Sequence, residues 1–141
     1  MELIKLNEAH LLAVHCMALV AAADSKGVNI TTIAEFTGSS KNHLSKVMGS
    51  LSKAGLVYSV RGKYGGFHLN KKAEDIFIID IIEAVSGKIV REFSKTSNSK
   101  SRKTEDIFGD LFYTIEDRYY NYISTTNLAS IKAKCEDAID I

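Results

Sequence analysis

The sequence predicts a mainly α-helical chain with one small β-hairpin, in six helices or fewer, on three observations. No proline occurs in its 141 residues, and apolar side chains recur at helical spacing along most of its length. One glycine-rich turn, Arg61-Gly62-Lys63-Tyr64-Gly65-Gly66, separates two short β-prone runs. With 45% hydrophobic and 25% charged residues, the composition is that of an ordinary globular domain large enough to bury one core.

The first helix is expected over residues 7–24. Leu11, Val14, Met17, Ala18 and Ala21 form one stripe that Leu12, Cys16, Leu19 and Val20 broaden, so protein should nearly surround it. Asp24-Ser25-Lys26-Gly27 stops it. After a short extended Val28-Asn29-Ile30, the run Thr32-Ile33-Ala34-Glu35 has the form of a capping box, and the compact helix it opens closes near Thr37-Gly38. Ser39 or Ser40 can cap the next helix, in which Leu44, Val47, Met48 and Leu51 share a buried face and Ala54-Gly55 ends the run. Its first turn and opposite face carry Lys41, Asn42, Ser45, Lys46 and Gly49, with His43 at the border. Two helices joined by a short glycine turn, the second polar and basic outside, make a helix-turn-helix pattern.

Leu56 to Val60 then reads as a strand and Phe67-His68-Leu69 as its return partner, a hairpin placed as a wing. Residues 76–85 return to helix with Ile78, Ile81, Ile82 and Val85 on one side and Gly87 as its stop. Residues 94–104 hold no apolar side chain and read as a mobile basic loop. A long amphipathic helix follows at about 105–124, with Ile107, Phe108, Leu111, Phe112, Ile115, Tyr119, Tyr122 and Ile123 on its apolar side. So many large aromatics exceed what a small winged domain needs, which predicts a dimerisation helix, with the tail after Thr126 packing back locally. The expected division is 1–87 for a winged helix-turn-helix domain, 88–104 for the loop and 105–141 for the dimerisation helix and tail.

Charge marks where such a chain would meet a partner. From Phe36 to Ala73 there is no Asp or Glu but seven Lys or Arg, so this stretch carries +7 while the whole chain is +1. Each cation that neutralises a DNA phosphate releases condensed counterions, and Ser, Asn and Lys at the amino end of a helix can bond base edges in the major groove. Ser39, Ser40, Lys41, Asn42, His43, Ser45 and Lys46 supply those types. Arg61, between glycines that let backbone come close, suits the more negative minor groove of A·T-rich DNA, with Lys63 and Tyr64 on phosphates and Gly62, Gly65 and Gly66 forming the turn. Double-stranded DNA is therefore the expected partner.

The run Leu51-Ser52-Lys53-Ala54-Gly55-Leu56-Val57-Tyr58-Ser59-Val60-Arg61-Gly62-Lys63-Tyr64-Gly65-Gly66-Phe67-His68-Leu69 closely resembles the hallmark "LRKAGLV.S.RG..GGY.L" of the Rrf-two family of bacterial transcription regulators. Ile78-Ile79-Asp80-Ile81-Ile82-Glu83-Ala84-Val85-Ser86-Gly87 is similar to that family's "LLDIIEAVEG" helix. The resemblance implies a homodimer on a partly palindromic operator, with recognition helices in successive major grooves about 34 Å apart. It places Arg61 in the minor groove, and Ser40, Asn42 and His43 at positions that contact DNA in the iron-sulfur cluster regulator of the family. The expected function is that of a transcriptional regulator, a repressor that acts by occupying promoter DNA.

Two departures limit the transfer. Ser45 stands where that regulator has a glutamate able to accept from cytosine, so the operator sequence does not carry over. Cluster-binding members place three closely spaced cysteines before the long helix, whereas residues 88–106 here contain none. A member with no iron-sulfur cofactor is expected, answering to an unknown effector molecule or protein if to any.

Other readings stay open beside this one. Cys16 could be a redox thiol if its pKa were depressed, although a small buried hydrophobe is the simpler role. A winged fold can also serve as a protein-interaction adaptor. His10, His15, His43 and His68 show no ligand spacing on one face, and no set of residues suggests an enzyme. The longest apolar run, Leu11 to Ala23 interrupted by His15, is too short to span a bilayer, and Glu2 and Glu8 against Lys5 give the wrong start for a signal sequence. A cytoplasmic protein is expected.

Overall fold

The computed structural model describes residues 6–63, 65–89 and 102–136, with side chains described except at 102–107, 135 and 136. Among them are six α-helices: α1 (Glu8–Ala23), α2 (Ile30–Thr37), α3 (Lys41–Lys53), α4 (Ile78–Ser86), α5 (Arg102–Thr125) and α6 (Leu128–Glu136). Strands β1 (Val57–Val60) and β2 (Gly66–Leu69) pair antiparallel between α3 and α4. Their register sets Val57 opposite Leu69, Tyr58 opposite His68, Ser59 opposite Phe67 and Val60 opposite Gly66. Short 3-10 turns cover Asp24–Lys26 and Ala73–Asp75.

Helix α1 is the centre of the molecule, touching α2, α3, α4, α6 and β2. Asn7 caps it reciprocally: its side-chain oxygen accepts from the His10 N–H, and His10 Nδ1 accepts from the Asn7 N–H, both at 3.1 Å. Met17, Cys16 and Ala13 are fully buried, in line with an apolar surface on nearly every side. Leu11 is the exception on the expected stripe, since it is 55% exposed. No other described helix covers that side of α1, and the pattern of apolar residues cannot reveal which side lacks a neighbour.

The capping box expected at Thr32 does not open α2. Asn29 does, its Oδ1 accepting from the Thr32 N–H at 2.8 Å, so Thr32 lies inside the first turn and Ile30 is already helical. Both residue types are good caps, and Val28 decides between them because its pairing with Phe67 holds the backbone extended up to Asn29. At the other end Gly38 takes a left-handed conformation, φ 70°, and its N–H reaches the Ala34 carbonyl at 2.9 Å.

The C-terminal part adds an element that the sequence reading treats as a tail. Helix α6 lies along α1 and against the turn at Ala73–Asp75, with Leu128 fully buried. Backbone bonds fasten it: Leu128 N–H to the Ile76 carbonyl at 2.7 Å and Ile78 N–H to the Thr126 carbonyl at 3.0 Å. The Phe77 N–H, at the start of α4, is held by the Asp80 carboxylate at 2.9 Å. Ile123 and Leu128 belong to the same core as Leu12, Ile33, Leu44 and Ile81, so the end of α5 and α6 complete one core rather than standing apart from residues 1–87.

Helix α5 is 24 residues long and begins at Arg102, so the last residues assigned to the polar loop are helical. Residues 94–101 of that loop lie outside the described residues, as does the side chain of Ile107. Among the described residues no helix is long and apolar enough to cross a membrane.

Candidate nucleic-acid interface

Helices α2 and α3, joined through Gly38, and the β1–β2 hairpin form a helix-turn-helix followed by a wing. In α3, Leu44 and Leu51 are fully buried and Val47 and Met48 nearly so. That side fixes the helix against α1, α2 and α4. Lys41, Asn42, His43, Ser45, Lys46 and Gly49 are all exposed on the opposite side and first turn. Ser40 is the cap, its Oγ accepting from the His43 N–H at 3.2 Å, which leaves its hydroxyl proton free to donate outward. Ser39 is half-buried, and its N–H donates to Thr37 Oγ1 at 3.3 Å.

The start of α3 has an electrostatic peculiarity. Its first turn contains Lys41 and no acidic residue, so the positive end of the helix dipole and a cation stand together uncompensated. Within one chain this arrangement is mildly unfavourable. An anion placed there would relieve it, and the amide groups of the first turn would bond it.

The hairpin carries its basic tip clear of the core. Arg61, Gly62 and Lys63 are exposed, and Tyr64 lies outside the described residues. The tip is tight, with the Gly65 N–H bonded to the Gly62 carbonyl at 2.9 Å. A Cβ on Gly65 would collide with the Val60 carbonyl oxygen, so no larger residue fits that turn. At the base, Asn70 closes the hairpin, its N–H on the Leu56 carbonyl at 2.9 Å and its side-chain amide on the Gly55 carbonyl at 3.1 Å.

The residues expected at a dimer seam divide into two groups. Phe108, Leu111, Phe112, Ile115 and Tyr122 are all exposed on α5, between 42% and 59%. Tyr119 instead packs against the core, and its hydroxyl is buried with no hydrogen-bond partner among the described residues. Burial also raises its pKa. Helical spacing did not separate these groups, because Tyr119 shares a face with Tyr122 and Ile123 by count alone. Leu6 and Leu11, exposed near the start of α1, are further apolar residues that the sequence reading did not assign to a surface.

Cys16 lies in the core, fully buried, and burial pushes its thiol up to about 12. Among the described residues no three His, Cys, Asp or Glu side chains gather as a metal site.

A helix-turn-helix with a following hairpin and a polar, basic second helix defines the winged-helix class of DNA-binding fold. The chain belongs to the Rrf2 (Rrf-two) family, whose model, described as an iron-dependent transcriptional regulator, matches residues 6–134. Rrf2 proteins are transcription regulators that bind DNA and act as dimers. Among solved structures the chain is similar to CymR (YrzC), the global cysteine regulator of B. subtilis. The TM-score is 0.78 at 23% identity, covering 93% of this chain and 98% of that one, a likeness of fold. IscR of T. potens is similar with a TM-score of 0.70 at 29% identity over 98% of this chain and 93% of that one. The oxidised form of S. aureus CymR matches at 0.68 and 25% identity over 92% and 96%.

Proposed function

We propose that this chain is a sequence-specific regulator that acts as a homodimer, placing α3 in the major groove and the Arg61 tip in the adjacent minor groove, and represses by occupying promoter DNA. One observation carries the reading: glycines apart, the exposed side of α3 and the exposed wing tip are polar or cationic, in a stretch that contains no acidic residue. Lys41 and Lys46 would hold phosphates, Asn42, His43 and Ser45 would face base edges, and Ser40 would donate its hydroxyl proton while capping the helix. Lys63 would add a phosphate contact beside Arg61. No residue is assigned a catalytic role.

The proposed dimer uses the exposed side of α5. Phe108, Leu111, Phe112, Ile115 and Tyr122 form an apolar surface that a second copy would cover, and two copies would set two α3 helices on successive major grooves.

A salt titration tests DNA binding. If Lys41, Lys46 and Lys63 of both protomers engage phosphates, log affinity falls linearly with log salt at a slope of roughly −5. Negligible affinity for every duplex at low salt would favour a protein-interaction adaptor instead.

The iron-dependent description of the family raises the question of a cluster. The chain has two cysteines, one of them the buried Cys16, and none between residues 88 and 106, so its residues do not fit a conventional thiolate-held cluster. We therefore propose regulation without an iron-sulfur cofactor. The likeness to the oxidised form of CymR keeps thiol sensing through Cys16 as the alternative reading, although burial raises the pKa of Cys16 and so disfavours the reactive thiolate. Iodoacetamide at pH 8 should leave Cys16 unmodified in the native protein and alkylate it readily in denaturant. Rapid native modification of Cys16 would favour the thiol-sensor reading.

A further inference from the structure

The base of the wing is held by a third extended segment. Val28 and Phe67 exchange both backbone hydrogen bonds, Val28 N–H to the Phe67 carbonyl at 3.2 Å and Phe67 N–H to the Val28 carbonyl at 2.7 Å. Antiparallel pairing then sets Gly27 beside His68, just as β1 sets Tyr58 on its other side. Gly27, His68 and Tyr58 thus form one row across three segments.

This row is closely packed. The rings of His68 and Tyr58 stack with centroids 5.4 Å apart and planes 20° from parallel. On the other side the imidazole covers Gly27, where a Cβ would stand 2.6 Å from Nε2 and 2.7 Å from Cε1. The absent side chain of Gly27 is the space that the His68 ring fills. Next to this row, Gly66 approaches so closely that a Cβ there would lie 2.6 Å from the Val28 carbonyl oxygen.

The segment that receives the wing also starts the helix-turn-helix. Val28 bonds β2, and the next residue, Asn29, caps α2. A change in how His68 seats on Gly27 would therefore alter the angle between wing and helix-turn-helix while leaving the core and the surface of α3 untouched.

We infer that His68 is a positioning residue: held between Gly27 and Tyr58, it fixes the wing against the α1–α2 connection and sets where Arg61 stands when α3 occupies the major groove. This rests on the proposed minor-groove role of Arg61. His68 acts here through packing, so another flat ring should replace it, and its effect should vanish when Arg61 is absent.

A double-mutant cycle tests this, with the full chain and two duplexes: the best binder selected from a random library, and the same duplex with its A·T flanks changed to G·C. Wild type, His68→Ala, His68→Phe, Arg61→Ala and the Arg61→Ala/His68→Ala pair are compared by the ratio of their two affinities. Thermal unfolding and affinity for the G·C-flanked duplex confirm that each variant is folded. His68→Ala should lower the ratio about fivefold in the wild-type background, the scale of one cross-strand aromatic pair. It should have no effect in the Arg61→Ala background, and His68→Phe should restore the wild-type ratio. An unchanged ratio in His68→Ala, an equal loss in both backgrounds, or no rescue by His68→Phe would overturn the inference. If Arg61→Ala alone leaves the ratio unchanged, the minor-groove reading fails first and takes the inference with it.

Discussion

Replacing Leu111 and Ile115 by aspartate is expected to give a folded monomer whose operator affinity is lower by at least about 100-fold. Both side chains are exposed in the single chain, 53% and 46%, so the carboxylates would remain in water and the protomer core would not change. In a dimer seam the same carboxylates would be buried without partners, a cost of several kcal/mol that no apolar neighbour offsets. The loss of DNA affinity follows from geometry. A monomer grips one half-site, and the advantage of the second, tethered half-site is typically 10² to 10⁴. Light scattering reports the mass and circular dichroism the fold. A stable dimer of wild-type size would refute the α5 interface.

Arg61→Ala is expected to weaken binding to an A·T-flanked operator by about tenfold, or 1.4 kcal/mol, and to leave a G·C-flanked one little changed. The narrow minor groove of A·T-rich DNA concentrates negative potential, so the lost interaction depends on the sequence beneath the wing. Arg61 is exposed at the hairpin tip, and its truncation should not affect stability. Lys63→Ala provides the contrast. A phosphate contact gives a loss that is similar for all sequences and a salt slope shallower by about one. Equal losses on both flanks after Arg61→Ala would make the wing a general phosphate contact.

Much of the fold was legible in the sequence because burial imposes periodicity. Leu44, Val47, Met48 and Leu51 mark the inner side of α3 by spacing, and the structure buries all four. The hairpin was legible because its turn admits only glycine at Gly65, where the Val60 carbonyl comes too close for a side chain. Features set by distant neighbours were not. Asn29 rather than Thr32 caps α2 because Val28 pairs with Phe67, nearly forty residues on, and no local pattern encodes that pairing. Likewise α6 has too weak an apolar periodicity to show that Leu128 completes the core beneath α1, and Tyr119 could not be separated from the exposed aromatics of α5.

The surface of α3 illustrates the limit at the site itself. Its polar residue types could be read directly, and their exposure follows from the buried opposite side. The row of Gly27, His68 and Tyr58 gave no such signal, since its members lie in two different hairpin strands and a connection before α2. Only the three-dimensional pairing brings them together.

The central claim is that two copies of the chain read DNA sequence through paired α3 helices. The most direct measurement is selection of bound fragments from native genomic DNA by the purified full chain, followed by alignment of the recovered sequences. The account predicts one shared, inverted motif with half-sites centred about one helical turn, or 34 Å, apart, flanked by A·T-rich steps where the wings fall. Recovery of fragments without a common motif, or of none above background at low salt, would contradict it.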